Sequence, residues 1–268
     1  MTFELGPALL FCPADRPERF RGALEKADAV ILDLEDAVLP DAKARARGNL
    51  IDADIEPDRV IVRVNRPGTD ALLADLEALA QTDFRTVMVA KSETPESLAA
   101  FDPSFALIAQ CETARGISAA DRIAAHPQVV AVMWGAEDLV ASLGGTSSRT
   151  PAGSYRDIAR YARARVLLEA GAHGKAAIDA VHVALDDLEG LAVEAADAAA
   201  SGFFASACIH PVQVASIRDA YRPDSASVEW ASAVLAAAGT ERGAFRFRGR
   251  MIDEPVLDHA RAVLRRAH

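Results

Sequence analysis

The chain has 268 residues, 51% hydrophobic and 25% charged, an ordinary make-up for a globular protein. With 29 basic and 39 acidic residues its formal net charge is −10, which excludes a general nucleic-acid coat, because neutralising phosphates takes a basic face. No run approaches 18 unbroken apolar residues, so no membrane span is expected, and the opening segment carries Glu4 and no basic group, unlike a secretory signal.

The first apolar run is Ala8 to Cys12, followed by an Arg- and Glu-rich segment with helical spacing at Phe20, Ala23, Leu24 and Ala27. Ala29 to Leu34 is the second strand, and a helix is expected from Asp41 to Ile51. Val60 to Val64 is the third, before a helix through Leu72, Leu76 and Leu79. Thr86 to Ala90 is the fourth, before a helix opened by Thr94-Pro95-Glu96. Phe105 to Ala109 is the fifth, before a helix through Ile117 and Ile123. Val129 to Met133 is the sixth, with a small polar loop at 144–148 and a long helix from about Tyr155 to Ala170. Ala176 to Val181 is the seventh, before a helix from Asp186 to Ala200, and Ser206 to Ile209 is a short eighth. Strands that are apolar on both faces and alternate with helices predict a parallel sheet covered by helices. Eight such units predict an α/β fold closed as a TIM (β/α)8 barrel over 1–220, with a helical appendage over 221–268. No Gly-x-Gly-x-x-Gly or Walker-type loop occurs, so nucleotide binding by those devices is not expected. Cys12, Cys111 and Cys208 lie far apart inside apolar runs, as reduced core thiols of a cytoplasmic protein would.

Polar residues collect where the strands end: Glu35-Asp36, Arg63 and Asn65, Lys91, Glu112, Gly135-Ala136-Glu137-Asp138, His182 and His210. In a barrel these ends converge on one rim, where active sites of this fold are built. Carboxylates without cysteine or paired histidine suit a hard cation such as Mg²⁺. Any one of these acids could instead cap the following helix. Arg63, embedded in an apolar strand, needs an anionic partner, either Glu35 or Asp36 or the carboxylate of a substrate held in bidentate fashion. Lys91 is the one strand-end lysine and so the only Schiff-base candidate, but Ser92 and Glu93 beside it favour a solvated rim or a phosphate contact. Arg16, Arg19 and Arg21 form a solvated face or hold phosphates. His182 and His210 read as structural.

These residues resemble those of a known family. Ile31 to Val38 with Lys43 and Arg47, Val62-Arg63-Val64-Asn65, Glu112 to Gly116, Gly135 to Leu139, Ile209 to Gln213 and Met251-Ile252-Asp253 resemble, in order, the signatures of the citrate lyase β-subunit-like proteins of the HpcH/HpaI aldolase superfamily. The chain departs from the pattern where Ala205-Ser206 replaces a Gly-Lys pair and where Ala90 replaces the proline before Lys91. The resemblance implies a TIM barrel with Mg²⁺ held by Glu112 and Asp138. It implies that Arg63, with Glu112, Gly135 and Ala136, binds a keto or hydroxy acid, and that Arg16 and Lys91 contact coenzyme A. Asp253 is expected to transfer a proton, reaching the site of a neighbouring subunit in a homotrimer, with Glu35 and Asp36 acting on the metal's waters. The expected activity is Mg²⁺-dependent carbon–carbon cleavage of a β-hydroxyacyl-CoA of the citramalyl or malyl kind. The alternatives are a malyl-CoA thioesterase, a malate-synthase-like condensation, or a keto-acid-binding protein without turnover. Neither nucleic acid nor membrane is an expected partner.

Overall fold

A computed structural model describes residues 2–239 and 243–267. Eight parallel strands close on themselves in chain order: β1 (Ala8–Pro13), β2 (Ala29–Asp33), β3 (Val60–Val64), β4 (Thr86–Val89), β5 (Ala106–Cys111), β6 (Val129–Trp134), β7 (Ala176–Asp179) and β8 (Ala205–Cys208), with β8 returning to β1. The expected TIM barrel is therefore present. Leu9, Ile31, Ile61, Met88, Ile108, Met133 and Ile178 fill its interior, and burying each such side chain contributes roughly 1.5–3 kcal/mol. The other faces of the strands bury under the surrounding helices, which is why every residue of β2, β3 and β6 is buried.

The helices between and after the strands are α1 (Phe20–Lys26), α2 (Lys43–Ile51), α3 (Asp70–Leu79), α4 (Ala114–Ser118), α5 (Ala120–Ala124), α6 (Ala136–Ser142), α7 (Asp157–Ala172), α8 (Leu188–Ser201) and α9 (Gln213–Tyr221). Side chains of Thr69, Thr113 and Asp187 accept hydrogen bonds from the first turns of α3, α4 and α8, the usual use of Thr and Asp before a helix. Several boundaries differ from expectation. β2 ends at Asp33, whose carboxylate accepts from the backbone N–H of Glu35 (2.8 Å) and Ala37 (3.0 Å) and curls the chain out of the sheet. β7 ends at Asp179 rather than Val181, because that carboxylate turns to Trp134 Nε1 (2.6 Å) and Arg163. After β4 only a single 3₁₀ turn forms, Pro95–Leu98. The helix expected through Ile117 and Ile123 is broken at Ala119 into α4 and α5.

The chain divides into two compact units, one ending at Ile217 and the other beginning at Arg218. The second contains α10 (Ser225–Ala238), β9 (Phe245–Phe247), β10 (Arg250–Ile252) and α11 (Glu254–Arg266), with Ala231, Val234, Ile252, Leu257 and Ala260 at its core. Beside the two helices of the expected appendage, β9 and β10 form an antiparallel hairpin. Its two-residue turn, Arg248-Gly249, has φ of 44° and 84°, the left-handed pair that matches strand twist in tight hairpins. Among the described residues no helix is long and apolar enough to cross a membrane. All three cysteines are buried.

Candidate active site

The charged centre is built on the register of β2 against β3, which sets Asp33 beside Arg63. Both are buried. Arg63 donates Nε to Asp33 Oδ1 (2.7 Å) and Nη2 to Oδ2 (2.6 Å), while Nη1 stands 3.3 Å from Glu35 Oε2. The partner sought in Glu35 or Asp36 is therefore chiefly Asp33. The Nε/Nη2 edge is already occupied, which leaves the Nη1/Nη2 end of the guanidinium for a ligand. Burial works against the Arg63 charge, but Asp33 outweighs it and holds the guanidinium well above its usual range. The loop after β2 is fixed by neighbours. Lys43 Nζ donates to the carbonyls of Leu34 (2.7 Å) and Glu35 (2.9 Å). Asn65 donates to Leu34 O and to Asp75, which pairs with Arg47 at 2.8 Å. The lysine and arginine that follow the Asp-Leu-Glu-Asp run thus support its shape.

Glu112 follows β5 and is 1% exposed. Its Oε1 accepts from the backbone N–H of Lys91 (3.0 Å) and its Oε2 from Gln110 Nε2 (2.6 Å). Burial, with the negative charge of Asp138 next, pushes its carboxyl up to about 8. Asp138 lies in the first turn of α6. Lys91, in the left-handed region at φ 50°, sends its ammonium to Glu35, to Asp36 (2.9 Å) and to Asp138 (3.3 Å). It thus meets carboxylates rather than the solvated rim or phosphate contact expected of it. Those partners raise its pKa in spite of burial. Burial raises the pKa of Glu35; it opposes the Asp36 charge too, but the bond and charge of Lys91, with Glu35 and Arg63, together lower the Asp36 pKa.

A cavity of about 170 Å³ opens here, with Asp33, Arg63, Gln110, Glu112, Gly135 and Asp138 in its wall beside apolar Phe11, Met133 and Val181. These residues fit a hard divalent cation. The donors are oxygens, and the buried Glu112 is repelled by Asp138 until a cation relieves the pair. Among the described residues no group of three His, Cys, Asp or Glu is placed to hold a metal alone, in keeping with Mg²⁺, which takes one or two carboxylates and keeps its waters. Gly135 is required as glycine: a Cβ there would stand 2.8 Å from Glu112 Oε2 and 2.9 Å from Glu112 Cβ. Gly135→Ala is accordingly expected to turn Glu112 aside and weaken Mg²⁺ binding about 10–100-fold, as other displaced supports of metal ligands do. Titration calorimetry checks this, and an unchanged affinity contradicts it.

Ala136, which opens α6, also lines the cavity. Arg16 is exposed after β1, with Nε 3.7 Å from Asp15, and Arg19 and Arg21 are exposed too. Asp253 belongs to the second unit, where it precedes α11 without capping it. His182 Nδ1 lies 2.9 Å from Glu194 and His210 is exposed. Sequence reasoning missed Asp33 and Gln110. The signal was available: each is a polar residue at an alternate position inside an otherwise apolar strand.

The family model for HpcH/HpaI aldolase/citrate lyase matches residues 8–211. The chain belongs to that family. It is 53% identical over 262 residues to a citrate lyase subunit beta-like protein of Mycobacterium tuberculosis, covering 98% of this chain and 96% of the relative. It is 32% identical over 290 residues to a mitochondrial citramalyl-CoA lyase of Mus musculus, covering 96% and 84%. A crystal structure of CitE from M. tuberculosis in complex with magnesium, acetoacetate and coenzyme A superposes with a TM-score of 0.93 at 52% identity, covering 98% of both chains.

Proposed function

We propose that this family member is a Mg²⁺-dependent carbon–carbon lyase that cleaves a β-hydroxyacyl-CoA of the citramalyl or malyl kind into an acyl-CoA and a keto acid. The observation that carries the reading is Glu112, buried beside Arg63 with both oxygens held and its charge opposed by Asp138. The relatives support it, since CitE is seen with magnesium and coenzyme A and another relative is a citramalyl-CoA lyase.

Glu112 and Asp138 would hold the ion, which supplies Lewis acidity that lowers the pKa of the β-hydroxyl and steadies the carbonyl formed from it. Arg63, locked by Asp33, offers Nη1 to the ligand's carboxylate and orients the breaking bond. The bond between the α and β carbons breaks, its electron pair passes to the thioester α carbon, and the hydroxyl proton leaves to a base. A proton then returns to that carbon. Asp253, supplied by a neighbouring copy in a trimer, takes one of these transfers, with Glu35 and Asp36 holding the ion's waters. Arg16 meets the coenzyme A phosphates, and Lys91 joins them once released from the carboxylates.

A panel of hydroxyacyl-CoA esters, with and without Mg²⁺, tests the reading by release of keto acid. From malyl-CoA the expected products are glyoxylate and acetyl-CoA. Free malate would replace cleavage with hydrolysis, and binding without turnover across the panel would overturn the lyase reading.

A further inference from the structure

Gln110 lies in β5 two residues after Ile108, whose side chain is in the barrel core, and side chains two apart on a strand share a face. Gln110 is 3% exposed. Its Nε2 donates to Glu112 Oε2 at 2.6 Å, and once Glu112 is the ionised ligand of a metal it can only accept, which fixes the amide's orientation in the loaded protein. Oε1, at the other end, is buried and accepts no hydrogen bond. Buried polar atoms are almost always paired, and an exception calls for a partner. Gln110 is also part of the wall of the cavity that holds Arg63, Glu112 and Asp138. What Oε1 lacks is a donor, which a water or a group of a bound ligand can supply. A keto oxygen accepts and cannot serve, whereas the hydroxyl of a hydroxy acid can.

We propose that Gln110 is a substrate-binding residue whose Oε1 accepts a hydrogen bond from the hydroxyl of the bound hydroxyacyl ligand, so that the site favours the hydroxy compound over the keto product. This deepens the proposed function and rests on it. The bond exists in the resting complex and is given up when the hydroxyl proton leaves to the base. It therefore contributes to binding and not to the chemical step, and its loss on cleavage assists departure of the keto acid.

Lactate and pyruvate differ only at the oxygen concerned, and the Mg²⁺-loaded full chain can be titrated with each by calorimetry. Gln110→Met, of similar length and apolar, also removes the Nε2 bond to Glu112, so at saturating Mg²⁺ it is expected to weaken both acids, and lactate about tenfold more than pyruvate, the worth of one hydrogen bond. Equal losses for the two acids, or none, with Mg²⁺ still bound would overturn this inference alone. A wild-type chain that takes up neither Mg²⁺ nor either acid would overturn the proposed function and this inference with it. A crystal structure of the wild-type Mg²⁺–lactate complex gives a reading independent of any variant. The lactate hydroxyl is expected within about 3 Å of Oε1; a water in its place, or the hydroxyl elsewhere, overturns the assignment.

Discussion

Glu112→Gln is expected to lower Mg²⁺-dependent cleavage about a thousandfold, since it removes one of two anionic ligands from an ion whose charge stabilisation amounts to several kcal/mol. The same change should stabilise the metal-free protein, increasingly as pH rises. Folding raises the Glu112 pKa from its ordinary value to about 8, so between those two values the folded state keeps a proton that the unfolded state has released. Stability must then fall as pH climbs through that window and level off above about 8. Glutamine is neutral throughout and escapes the loss. Thermal unfolding in EDTA from pH 5 to 8 should show the gap between variant and wild type widening with pH. Saturating Mg²⁺ should narrow it by stabilising only the wild type. Parallel pH profiles, or cleavage within tenfold of wild type, would contradict the assignment of Glu112.

Arg63→Ala is expected to destabilise the fold by about 3–5 kcal/mol, because it strands the Asp33 carboxylate inside the barrel without its counter-charge. For a chain of this size that lowers Tm by roughly 10 °C. Asp33→Ala should cost a similar amount by stranding the guanidinium. Removing both charges together, as Asp33→Leu with Arg63→Met, should recover most of the loss, since no unpaired charge stays buried. Ligand binding should not recover with it, because the Nη1 group is gone. Denaturant unfolding and calorimetry with a keto acid separate these two effects. Additive destabilisation in the double variant would mean that the pair is not coupled.

The barrel was legible in the sequence because each strand is an unbroken apolar run, and because both faces of such a sheet are buried. The strand ends, and with them Glu35, Arg63, Glu112 and Asp138, followed from the same pattern. Where strands stop was less visible. Asp33 sits inside the run Ala29 to Leu34, and only its side-chain bonds to Glu35 and Ala37 show that the sheet ends there. Asp179 ends β7 through Trp134 and Arg163, partners distant in sequence. Pairings of that range leave no local trace. The hairpin of the second unit was hidden by its length, since three-residue strands carry too little alternation to register. Gln110 was passed over because a single amide in a strand of apolar residues does not disturb the pattern.

The position of Lys91 has a consequence for how the ion is held. Its ammonium already pairs with Glu35, Asp36 and Asp138 from within the chain, so an incoming divalent cation meets a tethered competitor at Asp138 rather than a bare carboxylate. Uptake becomes an exchange, and affinity reflects the difference between two cations. An ion seated on Asp138 would leave the ammonium on Glu35 and Asp36 alone.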